Sequence, residues 1–197
     1  MVAAVPEERE TRRASRYDAV IATFVGLLAV CVAAYTAYMQ RQQVRAMVWP
    51  ILYFDSSNDP DIHWTLANKG VGPAIIRHVV VKVDGQPMTN WIQVVGKLVG
   101  PGEPHYSEAD MSGRVLSAGE SMVVFTPWGP DRKPIKYDPS NPVYEQVNKD
   151  RDRRLEVEIS YCSTLGDCWT LRGGGEKKNS TVSIRNCPNP SANSFQQ

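Results

Sequence analysis

The chain has 197 residues, 42% of them hydrophobic, with 22 basic against 21 acidic side chains. That is room for one domain and a little more, and the charge balance lacks the basic excess of a nucleic-acid binder. With 14 glycines and 14 prolines it is neither collagenous nor low in complexity, and 4 cysteines are too few for a small disulfide scaffold.

The first element is AVIATFVGLLAVCVAAYTAYM, residues 19–39, which carries no charge. A helix of this length spans roughly 31 Å, close to the hydrocarbon thickness of a bilayer, and satisfies its own backbone polar groups. Tyr35 and Tyr38 lie near one end, where amphipathic rings prefer the interface. The run is longer than the apolar core of a signal peptide and no A-x-A site closes it, so the expectation is an uncleaved transmembrane helix. Arg9, Arg12, Arg13 and Arg16 precede the span, against Arg41 and Arg45 after it. This excess favours a cytoplasmic N-terminal segment at 1–18 and an exported body. Ala19, Ala22, Gly26, Ala29, Ala33 and Thr36 follow heptad a and d spacing and are all small. Such a face lets two helices pack closely in lipid, so a protein partner or a homodimer through this helix is expected.

Residues 40–47 are polar and contain no breaker, which predicts a helical juxtamembrane stalk ended by Trp49-Pro50. The pattern then changes from a helical to a strand period. Val48 to Phe54 is a short apolar strand, and Ile62, Trp64 and Leu66 alternate with polar or small neighbours. Asn68-Lys69-Gly70-Val71-Gly72-Pro73 is a turn, and AIIRHVVVKV at 74–83 is the strongest strand, closed by the hairpin signal Asp84-Gly85. Residues 89–98 read as a short helix capped by Thr89 or Asn90, with Trp91, Val94, Val95 and Leu98 on one side. An exposed loop is expected from Gly100 to Gly113, then strand, turn and strand through Val115-Leu116 and 121–126. Five prolines make 127–142 irregular, and 143–153 reads as a charged helix. Residues 155–162 and 168–172 form a hairpin, Gly173-Gly174-Gly175 is a flexible stretch, 181–185 adds a last strand, and 188–197 is a disordered tail. About seven short strands predict an immunoglobulin-like antiparallel β-sandwich over 48–187, with one or two short helices.

Cys31 lies in the span, while Cys162, Cys168 and Cys187 lie beyond it. Three cysteines allow three single pairings, of which Cys162–Cys168, across a hairpin tip, is the expected one. Such a bridge persists in an oxidising compartment such as the periplasm. Cys187 would then be unpaired or bind another chain.

Val48-Trp49-Pro50 after the span, LANKGVGPA at 66–74, LSAGE at 116–120 and YCSTLGDCW at 161–169 carry a resemblance over most of the chain. In these the chain resembles a loose class of uncharacterised bacterial single-pass inner-membrane proteins with an exported immunoglobulin-like domain. The resemblance implies architecture and a periplasmic location for the C-terminal domain. Its motifs are turns, so it implies no activity.

No catalytic or cofactor signature appears. His63, His78 and His105 are not grouped, C-x5-C is too wide for ordinary zinc spacing, and the glycine pairs fit neither a phosphate loop nor a nucleophile elbow. Glu103, Glu108 and Asp110 read as a solvated acidic loop, and Asn179-Ser180-Thr181 as a glycosylation sequon relevant only in a glycosylating host. The expected function is therefore a membrane-anchored periplasmic interaction or assembly module, with no catalysis, cofactor, metal or nucleic acid. The alternative is an exported domain that binds a small molecule or glycan on Trp91 or Trp128.

Overall fold

The computed structural model describes residues 7–100, 105–129, 131–174, 179–188 and 195, with backbone alone for 7–16, 151 and 152. Two compact units divide the chain, Met1–Ala46 and Met47–Gln197.

The described part of the first unit belongs to one helix, α1 (Glu7–Met47, 41 residues). It runs through the expected span and stalk and begins twelve residues before the span, because nothing from Glu7 to Met47 is a proline and Gly26 is the sole glycine there. Its Tyr17–Met47 stretch is long and apolar enough to cross a membrane, and every side chain from Tyr17 to Val44 is exposed. The hydroxyls of Thr23 and Thr36 donate back to the carbonyls of Ala19 and Val32, both at 2.8 Å, so neither needs water. Pro50 disfavours helix at Trp49 and ends the element.

Among its described residues the second unit contains ten strands and two helices: β1 (Leu52–Ser57), β2 (His63–Asn68), β3 (Ala74–Val83), β4 (Gln86–Met88), α2 (Trp91–Leu98), β5 (Tyr106–Glu108), β6 (Val115–Leu116), β7 (Ser121–Pro127), α3 (Pro142–Arg154), β8 (Leu155–Cys162), β9 (Cys168–Gly174) and β10 (Ser180–Ile184). One sheet has the order β1-β2-β7-β5 and the other β10-β9-β8-β3-β4, with β6 also on β3; all pairings are antiparallel. This is the immunoglobulin-like sandwich arrangement. β1, β2, β7 and β5 take the places of strands A, B, E and D, while β9, β8 and β3 take those of G, F and C.

Alternation decides which side chains fill the space between the sheets. Leu52 and Phe54, Trp64 and Leu66, Val79, Val81 and Val83, and Leu155, Val157 and Ile159 all point inward and are buried. Phe125 is the centre of the aromatic packing, stacked on Trp91 at 4.2 Å and 5° and tilted on Trp64 at 5.3 Å. The Asp84-Gly85 turn joining β3 to β4 has both residues at positive φ, as a two-residue hairpin with right-handed twist requires. The Asn90 side chain caps α2 by accepting from the Gln93 N–H at 3.0 Å. Asn141 caps α3 with Pro142 behind it.

Four expectations are corrected. β1 starts at Leu52, because Trp49 and Ile51 are bonded instead to the 68–72 loop: the N–H groups of Lys69 and Val71 donate to the carbonyls of Ile51 and Trp49 at 2.7 and 3.0 Å. The stretch 100–113 is not wholly an exposed loop. It contains β5, and Met111 is completely buried, with Ala109 N–H donating to the Val124 carbonyl at 3.1 Å. Gly173 and Gly174 belong to β9. From the tail expected to be disordered, Phe195 is buried and bonded to β3; residues 189–194, 196 and 197 lie outside the described residues.

Candidate interaction surfaces

On α1 the six small residues Ala19, Ala22, Gly26, Ala29, Ala33 and Thr36 recur every three or four positions, hence on one face, and all are exposed. Cys31 is an exposed free thiol on the same helix.

Cys162 and Cys168 are cross-strand partners at the β8–β9 tip and are joined as a disulfide. The turn between them is held by Ser163 N–H donating to the Asp167 carbonyl at 2.8 Å and by Gly166 at positive φ. Cys187 is free and half-buried; burial pushes its thiol up, against the opposing pull of Arg77. Replacing both Cys162 and Cys168 by serine is expected to cost about 2 kcal/mol, the chain-entropy value for so short a loop. Denaturant unfolding of parent and variant under non-reducing conditions measures it. An unchanged midpoint would mean that the strand ladder alone holds the tip.

Several titratable groups tie elements of the fold together. Asp84 on the β3–β4 turn, Arg154 and Asp150 form one chain of ion pairs, with Arg154 donating to Asp84 at 2.7 Å and to Asp150 at 3.0 Å. The Arg154 hydrogen bond holds the Asp84 carboxyl below its ordinary range. Burial raises Asp150, but Arg154 and Arg153 outweigh it and leave that carboxyl lowered too. At Glu108, burial and then Asp110 push the carboxyl up. Glu103, the third member of that acidic loop, lies outside the described residues. His63 faces Asp61, with Nδ1 2.9 Å from the Asp61 carbonyl, and His78 lies within β3. Among the described residues no three His, Cys, Asp or Glu side chains are placed to hold a metal ion.

Of the two tryptophans read as ligand platforms, Trp91 is 1% exposed and packs in the core, which removes it as a stacking surface. Trp128 is half-buried, with its Nε1 enclosed and unpartnered. An open cleft of about 590 Å³ in the proline-rich segment is lined by Asp131, Lys133, Lys136 and Asp138 among others, with no aromatic ring on its described wall. Trp49 is half exposed and stacks on Trp169 at 6.3 Å.

Edges are what topology adds to the sequence. A strand edge offers unpaired N–H and C=O groups, and three of the four sheet-end edges are guarded. At β1 the Asn179 side chain imitates a neighbouring strand: Phe54 N–H donates to its Oδ1 at 3.2 Å and its Nδ2 donates to the Phe54 carbonyl at 2.7 Å. Gly173 leaves the room this amide fills, since a Cβ there would meet Asn179 Oδ1. The side-chain nitrogen of the Asn179-Ser180-Thr181 sequon is thus bonded to β1. β4 carries Pro87, and β5 has three residues ending in Glu108. β10 is different. Ser180, Thr181, Val182 and Ser183 are exposed, the strand has neither charge nor proline, and no described residue pairs with its outer side. No family model matches the chain, and neither a curated protein nor a solved structure does.

Proposed function

We propose that this chain is a membrane-anchored interaction module of the bacterial inner membrane, with its N-terminus in the cytoplasm and its sandwich in the periplasm. The observation carrying the reading is the outer edge of β10, with which no described residue pairs. Strand addition to such an edge supplies affinity through main-chain hydrogen bonds and specificity through alternate side chains. Val182, 54% exposed, would supply the apolar contact on one face. The small-residue face of α1 supplies a second contact of the same kind of use, helix against helix in lipid. The arginine excess before the span supports the orientation, and the Cys162–Cys168 bond supports an oxidising compartment.

The test is a photo-crosslinking side chain at Thr181, compared with one at the exposed Tyr137, in intact membranes. An adduct is expected from position 181 only, to be lost when Val182→Lys places a charge on the edge. Mass identification tells a second copy from a different protein. A chain that stays monomeric and forms no adduct contradicts the interaction reading. A reporter after Gln197 that is active only in the cytosol contradicts the location.

A further inference from the structure

The two ends of the sandwich differ in what their turns expose. At one end β1 turns into β2 and β3 into β4, and these turns carry Asp59, Asp61 and Asp84, with Lys136 bridged to Asp61. The other end is where the chain enters the domain. Residues 48–51, the 69–73 loop between β2 and β3, and the 163–167 turn between β8 and β9 meet there, since Lys69 and Val71 bond to Ile51 and Trp49, and Ile75 lies beside Cys162. Each of the three exposes a large apolar side chain: Trp49 is 50% exposed, Val71 66% and Leu165 49%.

These side chains are held in place. The N–H groups of Val71 and Gly72 both donate to the Trp49 carbonyl, at 3.0 and 3.3 Å, and Asn68 binds the Ile51 N–H. Trp49 stacks on Trp169, and the Cys162–Cys168 bond closes the turn that bears Leu165. Two exposed cations stand at the same end: Lys69, and Arg185 just beyond Ile184, the partner of Cys168. The acidic Glu120 and Asp167 there are half-buried, and Glu120 accepts from the Ser117 N–H at 2.8 Å.

Distance along the chain selects the surface that this end can meet. Ten residues separate Met39, the last of the uncharged run, from Trp49. At helical rise they cover about 15 Å. The headgroup layer extends roughly 5–8 Å beyond the hydrocarbon, and tilt of the helix lowers the domain towards it. Tryptophan favours that layer, and lysine and arginine lay their stems in it while the charge meets phosphate. We infer that Trp49, Val71 and Leu165, with Lys69 and Arg185 around them, form a lipid-docking surface that seats the sandwich on the headgroups of the bilayer crossed by α1. The inference rests on α1 crossing a bilayer, and it concerns a different surface from the strand edge of β10.

The experiment places an environment-sensitive fluorescent amino acid at position 71, 165, 137 or 32 of the full chain, in nanodiscs of phosphatidylethanolamine and phosphatidylglycerol. Nitroxide on the lipid headgroups is expected to quench positions 71 and 165 at least threefold more than 137, which lies at the Asp61 end beside Lys136. Nitroxide on the acyl chains is expected to quench position 32 in α1. Equal headgroup quenching at 71, 165 and 137, with position 32 quenched, overturns the docking surface and leaves the anchor standing. No quenching at position 32 overturns both. Shielding of 71 and 165 from iodide without lipid quenching means that a second copy covers this end, and also overturns the proposal.

Discussion

Asn68→Ala is expected to destabilise the sandwich by about 3–5 kcal/mol, a large part of what a domain of this size has. Asn68 is fully buried and all four of its amide contacts are made inside the protein. Its Nδ2 donates to the Gly72 carbonyl at 2.7 Å and the Leu116 carbonyl at 3.1 Å. Its Oδ1 accepts from Ile51 N–H at 3.2 Å and Gly70 N–H at 3.0 Å. One side chain thus ties together the segment entering the domain, the 68–72 loop and β6. Alanine removes the ties and leaves backbone groups of three segments without partners, and an unmet buried polar group costs more than a made one contributes. Urea unfolding in detergent measures the loss. A change under about 1 kcal/mol would mean that water takes over the four positions.

Gly72→Ala is expected to cost about 3 kcal/mol or more for a different reason. A Cβ at Gly72 would fall on the backbone of Val48, and one at Gly70 on that of Trp49, Pro50 and Ile51. The obstacle in both cases is main chain, which cannot rotate away as a side chain can. Gly96 is the control. It lies in α2 with nothing near its missing Cβ, so Gly96→Ala is expected to stabilise by about 0.5–1 kcal/mol through helix propensity. The same substitution should therefore change sign between two glycines of one domain. Because Asn68 and Gly72 secure the same seam, the double variant should lose less than the sum of the singles.

Local signals gave the elements that local physics determines. β3 has the bounds predicted from its alternation and its Asp84-Gly85 stop, and α2 starts after Asn90, which caps it. The disulfide follows from two cysteines across a tight hairpin. What was not legible depended on partners far away in the chain. β5 is three residues in a polar stretch and exists because β7 is beside it. Gly173 and Gly174 read as flexible, but their lack of side chains serves close packing against Asn179 and Leu155. Phe195 looked like one apolar residue in a polar tail, and nothing local announces its bond to β3. Trp91 could be placed on a helix, but its burial depends on Phe125 and Phe195. The open edge was the least legible, because a strand becomes terminal only through the order of the whole sheet.

The amide of Asn179 against β1 has a consequence for how many chains can join. Runaway fibre growth needs two unlike rims, so that each newcomer presents a fresh one to the next. Here one rim is stoppered by a side chain of its own molecule, and the rims at β4 and β5 are spoiled by Pro87 and Glu108. A second copy pairing along β10 would use up the same rim on both molecules and leave no open sheet-end rim among the described residues to recruit a third.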